Sequence, residues 1–190
     1  MSGPLRSVDE HLPRGEPRGC ILVVSDYRPL NRGHAAALCA KGYAVYTAVT
    51  CTDVPRVFET FAVGAVEAIA FASLVHGWHH REAEGRPDGI PQKTDEDWQT
   101  RNMGEVIKLV SRRQKSPPAV LIAVELITCG GYNISPETLM VAGINYQTYS
   151  AGDPWSISGL LQRNRGLHSS PPEATQTTSK LPTALPRTPV

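Results

Sequence analysis

The segment CILVVSDYRPLNRGHAAALCAKGYAVYTA, residues 20–48, decides the fold of this chain. It opens with an apolar run, residues 20–24, which is typical of a strand buried on both faces of a sheet. A helical pattern begins at Pro29 or the residue after it, and Gly42 supplies the stop. Residues 44–48 then predict a second strand. A strand, a helix and a strand in succession indicate a parallel βαβ unit.

The same alternation of strand and helix patterns continues to about residue 163. It predicts five strands and five helices in a three-layer α/β sandwich. We expect a parallel five-stranded sheet in the order 2-1-3-4-5, which is the flavodoxin-like order. The remaining predicted strands cover residues 66–72, 119–126 and 146–149, and the remaining helical patterns lie at residues 54–61, 103–110, 136–140 and 156–163.

The two ends of the chain differ in composition from the middle. Residues 1–18 are polar and rich in Pro and Gly, which predicts a flexible arm before a single domain at residues 19–165. Of the 22 residues from 169 onward, 13 are Ser, Thr or Pro. Such a composition buries too little apolar surface to offset the entropy of ordering. We therefore expect residues 166–190 to be a disordered tail.

Composition excludes several functional classes. The formal net charge of +1 argues against a dedicated nucleic-acid surface, which usually carries a strong basic excess. No 18 consecutive apolar residues occur, so no membrane-spanning segment is predicted, and the N-terminal stretch lacks the apolar region of a signal peptide. A cytoplasmic protein without a membrane or nucleic-acid partner is expected.

An acidic residue follows the first predicted strand. In an open parallel sheet, ligands bind at the carboxyl ends of the strands, so Ser25 and Asp26 lie where a site is expected. Asp26 could serve as a metal ligand. An aspartate in this position is more often a capping or turn residue, because aspartate readily accepts the free N–H groups of a following helix.

The segment LVVSDYRPLNRGHAAALCAKGYAVYTA, residues 22–48, resembles the opening of a bacterial response-regulator receiver domain. The later run PPAVLIAVEL, followed by VAGINY at residues 141–146, resembles the fourth strand, fourth helix and entry to the fifth strand of that family. The resemblance covers residues 19–163 in element order. It implies a module that takes a phosphoryl group from a histidine kinase onto an aspartate after the third strand, beside a Mg²⁺ ion.

Carried over residue by residue, the resemblance implies a degenerate pocket. Ser25 stands where the first acidic residue of the family is expected, and Asp26 keeps the second. The phosphoacceptor position falls at Ala72, or one residue to either side, and none of these is an aspartate. Ser73 as a substitute acceptor is disfavoured, because a serine lacks the carboxylate chemistry of the family. The family's later hydroxyl and lysine positions fall near Val124, with Glu125 beside it, and among residues 150–154, which begin with Ser150 and hold no lysine.

These departures predict an atypical receiver, or pseudo-receiver, that signals through protein–protein contacts. We expect no catalysis, no cofactor, and a signalling protein or a second copy as the partner. The resemblance points to the face built by the fourth helix, fifth strand and fifth helix. There Tyr146, Tyr149 and Trp155 could supply aromatic contacts, although packing into the core is the other interpretation of these residues.

A second cluster favours a rival function. His76, His79 and His80 have a spacing that could place three imidazoles around one metal on a helix. Gly77 weakens that helix, however, and residues 76–99 also fit an exposed polar insertion or a partner-binding loop. The alternative function is therefore a small-ligand- or metal-binding protein or enzyme on a flavodoxin-like sheet, with this insertion as a lid.

Overall fold

The computed structural model describes residues 7–73, 93–128 and 134–169. Strands and helices alternate along most of the chain, with a short 3-10 turn at Cys51–Asp53. The strands are β1 (Val8–His11), β2 (Cys20–Val24), β3 (Ala44–Ala48), β4 (Val66–Phe71), β5 (Ala119–Ala123) and β6 (Gln147–Tyr149). The helices are α1 (Arg28–Ala40), α2 (Val54–Thr60), α3 (Lys93–Ser111), α4 (Val124–Thr128), α5 (Pro136–Val141) and α6 (Trp155–Ser169).

The described strands form one six-stranded, mostly parallel sheet in the order β1-β3-β2-β4-β5-β6. The pairs from β3 through β6 are all parallel, and β1 is antiparallel to β3. The mixed α/β class is confirmed. The prediction of a five-stranded, wholly parallel sheet is wrong in the number of strands and in this one pairing, although the parallel strands alone follow the expected order.

The additional strand lies within the predicted N-terminal arm. β1 pairs along its whole length with β3, from Val8 opposite Ala48 to His11 opposite Val45. Val8 is 6% exposed, whereas Glu10, on the same face two residues later, is exposed, so only the start of β1 is buried against the sheet. The expectation of a flexible arm over residues 1–18 is therefore wrong for residues 8–11, which cover the free edge of β3.

The central strands carry the core. Every residue of β2 and β3 is buried, and so are the apolar residues of β4. Continuous burial is expected where helices cover both faces of a parallel sheet. Leu38 anchors α1 to this core, and Gly42 ends the helix with a φ of 88°, a conformation that favours glycine. Among the described helices, none combines the length and apolar character that a membrane span requires.

Three predicted boundaries require correction. The apolar run at residues 119–126 is a strand only to Ala123, and Val124 begins the short helix α4. Helix α3 begins at Lys93, inside the predicted insertion at residues 76–99, of which residues 76–92 lie outside the described chain. Helix α6 continues to Ser169, four residues into the predicted tail, and Arg165 in its last turns pairs with Glu67 at 2.5 Å.

Candidate functional site

The carboxyl ends of β2 and β4 bring two serines and one aspartate together. Ser25 and Asp26 follow β2, and Ser73 lies two residues beyond the end of β4. The Ser73 hydroxyl donates a short hydrogen bond to the Asp26 carboxylate and accepts the Asp26 backbone N–H at 3.0 Å. The two serine hydroxyl oxygens lie 2.7 Å apart. The structure therefore assembles a polar cluster where the sequence predicted a site.

Hydroxyl chemistry fixes the direction of these bonds. A serine hydroxyl has one proton to donate and two lone pairs to accept with. Since Ser73 gives its proton to Asp26, Ser25 is the donor in the bond between the two serines. Ser25 in turn accepts the backbone N–H of Tyr27 at 3.1 Å, which closes a turn at the start of α1. Ser73 thus has its donor and both acceptor positions in use.

Helix α1 does not use Asp26 as its cap. Its N-cap is Tyr27, which makes no side-chain capping bond. The side chain of Asn31, one turn into the helix, instead donates to the carbonyl of Ser25 at 3.0 Å. Asn31 is 5% exposed, and its Oδ1 atom has no hydrogen-bond partner among the described residues. The interpretation of Asp26 as a capping residue is replaced by a tie between β2 and β4.

A second carboxylate lies at the end of β5. Glu125 accepts the Ser150 hydroxyl at 2.8 Å and the backbone N–H of Ala151 at 3.0 Å. Burial raises the pKa of the Glu125 carboxyl, but the hydrogen bonds from Ala151, Ser150 and other donors lower it, and the net pKa lies below its ordinary value. Glu125 therefore fastens α4 to the loop after β6 as an ionised group.

A buried histidine joins α1 to β6. His34 is 1% exposed, and its Nδ1 lies 2.9 Å from the carbonyl oxygen of Leu30. A carbonyl can only accept, so Nδ1 carries the proton and Nε2 accepts the hydroxyl of Tyr149 at 3.1 Å. The two rings also meet edge to face. Burial lowers the pKa of His34, while the Leu30 bond and the Glu125 charge raise it less.

The residues predicted for the degenerate receiver pocket lie in different hydrogen-bonded groups along this edge of the sheet. Ser25 and Asp26 lie in the first cluster and Ser150 in the second. Ala72 is buried, and its N–H donates to the carbonyl of Val24, so it continues the sheet beyond β4. Val124 is half-buried at the start of α4.

The three predicted aromatic contacts occupy different environments. Tyr149 is buried at 4% exposure, so it belongs to the core and offers no contact surface. Tyr146 is half-buried. Trp155 is 48% exposed, and the Lys41 ammonium lies 5.2 Å from its ring centroid. The set therefore does not form one exposed aromatic face.

The predicted histidine cluster lies outside the described residues, which end at Ser73 before it and resume at Lys93. Within residues 7–73, 93–128 and 134–169, no group of three His, Cys, Asp or Glu side chains is arranged to hold a metal ion.

Sequence reasoning missed the roles of Asn31 and His34. Both lie on the helical pattern that begins near Pro29 and stops at Gly42, where an isolated polar residue gives no signal of its own. Their separation of one turn along α1 places them on the same buried side, which is a signal that could have been used. Glu125 and Ser73 were noted only as neighbours of the predicted positions.

No family model matches this chain, and no curated protein matches it. A solved structure is similar over 82% of this chain and 88% of that chain, with 14% sequence identity and a TM-score of 0.43. That structure is of "Yeast Spc42 Trimeric Coiled-Coil Amino Acids 181-211" fused to another structure. A similarity of this size supports no conclusion about family, function or partners.

Proposed function

We propose that this protein is a receiver-like signalling module that acts through protein–protein contacts and does not transfer a phosphoryl group through an aspartate. The observation that carries the proposal is the Ser73 hydroxyl at the end of β4, bonded to Asp26 and Ser25. An acyl phosphate requires a carboxylate at that position, and the residues there are Ala72 and Ser73.

The geometry of the remaining carboxylates supports the same proposal. Asp26 accepts from Ser73, and Glu125 accepts from Ser150 and Ala151. Octahedral Mg²⁺ usually uses one or two protein carboxylates that can present free oxygen lone pairs to the ion. Each of these carboxylates joins two segments of the fold, and among the described residues neither belongs to a group of three His, Cys, Asp or Glu side chains that could hold a metal ion. The edge of the sheet is thus suited to holding loops together.

The phosphotransfer part of the proposal is tested by intact-protein mass spectrometry. The chain is incubated with acetyl phosphate and Mg²⁺, next to a phosphorylatable receiver as a positive control. We expect no gain of a phosphoryl mass. A mass gain that disappears in the Asp26→Asn variant would refute the proposal. A mass gain that disappears in the Ser73→Ala variant would also refute it, because it would show that Ser73 carries the phosphoryl group as a serine ester.

The interaction part of the proposal concerns the surface of α5 and the segment after it. Met140 and Val141 are 72% and 86% exposed at the end of α5, and half-buried Tyr146 follows before β6. Two neighbouring large apolar side chains at this exposure are a candidate contact surface, because exposed apolar patches are typical of interaction sites. A signalling protein or a second copy of the chain would cover them.

Sedimentation of the full chain over a range of concentrations distinguishes the two occupants. Self-association that is lost in a Met140→Asp, Val141→Asp variant assigns the surface to a second copy. If the chain stays monomeric at all concentrations, the surface is assigned to a separate signalling protein. Affinity capture with the wild type and the variant in parallel would identify that protein. If wild type and variant capture the same proteins in the same amounts and both stay monomeric, the surface assignment is wrong.

A further inference from the structure

A groove between the first half of α1 and the loop before α6 has an aromatic rim. Both of its aromatic lining residues are exposed, Tyr27 by 58% and Trp155 by 48%. The groove has a volume of about 530 Å³, and small or cyclic residues form much of its lining. These are Pro29, Gly33, Ala36, Ala37, Ala151, Gly152 and Pro154.

The shape of this groove matches one class of ligand. Polyproline II segments dock into grooves lined by aromatic rings, because their prolines fit between flat side chains and lose little entropy on binding. A cation from Lys41 lies over the Trp155 ring and holds it from one side. Asp153 is exposed and lies between Gly152 and Pro154, which both line the groove, so an acidic residue adjoins this lining in sequence.

The chain contains a segment of this chemistry. Residues 181–190 read LPTALPRTPV, with prolines at 182, 186 and 189. Because polyproline II repeats every three residues, Pro186 and Pro189 lie on one edge of such a helix. Arg187 stands between them and carries the charge that complements Asp153.

The covalent reach from α6 permits this docking. Trp155 begins α6 and Ser169 ends it, and its 15 residues place these two ends about 21 Å apart. The roughly eleven residues from 170 to the start of LPTALPRTPV can extend up to about 36 Å, which exceeds that separation. A linker of this length also holds the segment at an effective concentration of about 1 mM. Intramolecular docking is therefore favoured whenever the free segment binds with a dissociation constant below about 1 mM.

We propose that the groove between Tyr27 and Trp155 binds the chain's own proline-rich segment, residues 181–190, in the polyproline II conformation. The bound segment covers the exposed aromatic side chains and occupies the surface of α1 and α6. This inference concerns a surface distinct from the α5 surface of the proposed function, and it holds or fails independently of phosphotransfer.

The test uses ¹⁹F NMR of the full chain labelled with 5-fluorotryptophan. The chain has three tryptophans, and the Trp155→Phe variant assigns the signal of interest. Replacing Pro182, Pro186 and Pro189 with alanine should shift the Trp155 signal. The matched control replaces Pro171 and Pro172, which lie in the same tail outside the segment, and should leave the signal unchanged.

A second arm blocks the groove without disturbing the core. A Cβ at Gly33 would meet nothing within 4 Å, so Gly33→Leu is tolerated by the fold and fills the groove. Added to the triple-alanine variant, a synthetic LPTALPRTPV peptide should restore the Trp155 shift saturably. Gly33→Leu should weaken that binding by about tenfold or more through steric exclusion. Gly104→Leu, at an equally open helical position in α3, should not.

Three outcomes would overturn the proposal. One is an identical Trp155 signal in the wild type and the triple-alanine variant with no response to the peptide. Another is peptide binding that Gly33→Leu and Gly104→Leu affect equally. The third is a wild-type Trp155 signal that moves with protein concentration, which would assign the segment to the groove of a second copy.

Discussion

The buried histidine at the junction of α1 and β6 should make the stability of this protein fall on mild acidification. His34 is 1% exposed, donates from Nδ1 to Leu30 and accepts from Tyr149 at Nε2. A second proton on Nε2 would face the Tyr149 hydroxyl proton, which would have to turn away. Burial, opposed by smaller contributions from the Leu30 bond and the Glu125 charge, lowers the pKa of His34 below its ordinary value of 6.5.

The sign of the effect follows from proton binding. Between pH 6.5 and the lower folded pKa, the unfolded chain binds more protons at His34 than the folded chain does. The free energy of unfolding therefore falls as pH falls through this window, and it is constant with respect to His34 above it. One group contributes at most about 1.4 kcal/mol per pH unit. Glu125 titrates below its usual range and Tyr149 above its own, so neither adds to the slope in this window.

Urea unfolding of the full chain at pH 7.5, 6.5 and 5.5 measures this slope. The control variant is His34→Phe, which is similar in volume and does not titrate. It should be less stable at pH 7.5 by about 1–3 kcal/mol, because the buried Tyr149 hydroxyl loses its acceptor. Its pH slope should be smaller than that of the wild type, since all other histidines are present in both proteins. Parallel stability curves for the two proteins would refute the assignment of a neutral, buried His34.

Further predictions concern the site and the fold. Ser73→Ala removes the hydroxyl that donates to the Asp26 carboxylate and accepts the Asp26 backbone N–H. It should lower the free energy of unfolding by about 1–3 kcal/mol in urea denaturation. Gly42→Ala forces an L side chain into a φ of 88° with its Cβ 2.9 Å from Arg18 Cδ, and should cost about 1–2 kcal/mol in the same assay. Phe71→Ala empties a fully buried position in β4 and should cost about 3–5 kcal/mol, which would lower the thermal midpoint seen by circular dichroism.

The parallel core was predictable because its strands carry strong local signals. All residues of β2 and β3 are buried, and Gly42 ends the helix between them with a positive φ. Ser135 likewise caps α5 as its sequence indicates, since its side chain accepts the N–H of Thr138. At these positions local propensity and tertiary packing require the same structure.

Other elements are set by contacts that the sequence does not reveal locally. β1 has one buried apolar residue, Val8, so its position is set mainly by long-range contacts, the pairing with β3 and a bond from Cys39 of α1 to the carbonyl of His11. The start of α3 was hidden because its inner face carries Gln99, Thr100 and Asn102, which are all buried and polar. The turn from strand to helix at Val124 interrupts an unbroken apolar run, and a short apolar run cannot by itself distinguish strand from helix.

The position of the candidate site was predictable from the sequence, but the hydrogen bonds between its side chains were not. Parallel strands had to bring Asp26 and the end of β4 to one edge, whatever residues occupied it. The identity of the partner depended on which side chain after β4 turns toward Asp26. That side chain is Ser73, one residue beyond buried Ala72, and the sequence left both positions open.

The polar groups at this edge have a common energetic logic. A buried carboxylate or hydroxyl is costly without a partner, and a partner from a distant segment repays that cost while fixing the position of both segments. Ser73 joins the end of β4 to that of β2, Glu125 joins α4 to the loop after β6, and His34 joins α1 to β6. Substitution of one member leaves its partner without that bond, fully buried in the pair of His34 and Tyr149 and partly buried in the other two pairs, so each pair constrains both of its positions together. The polar residues at this edge of the sheet hold segments of the fold in position. For this reason we expect the proposed signalling function to depend on contact surfaces elsewhere, and not on this edge.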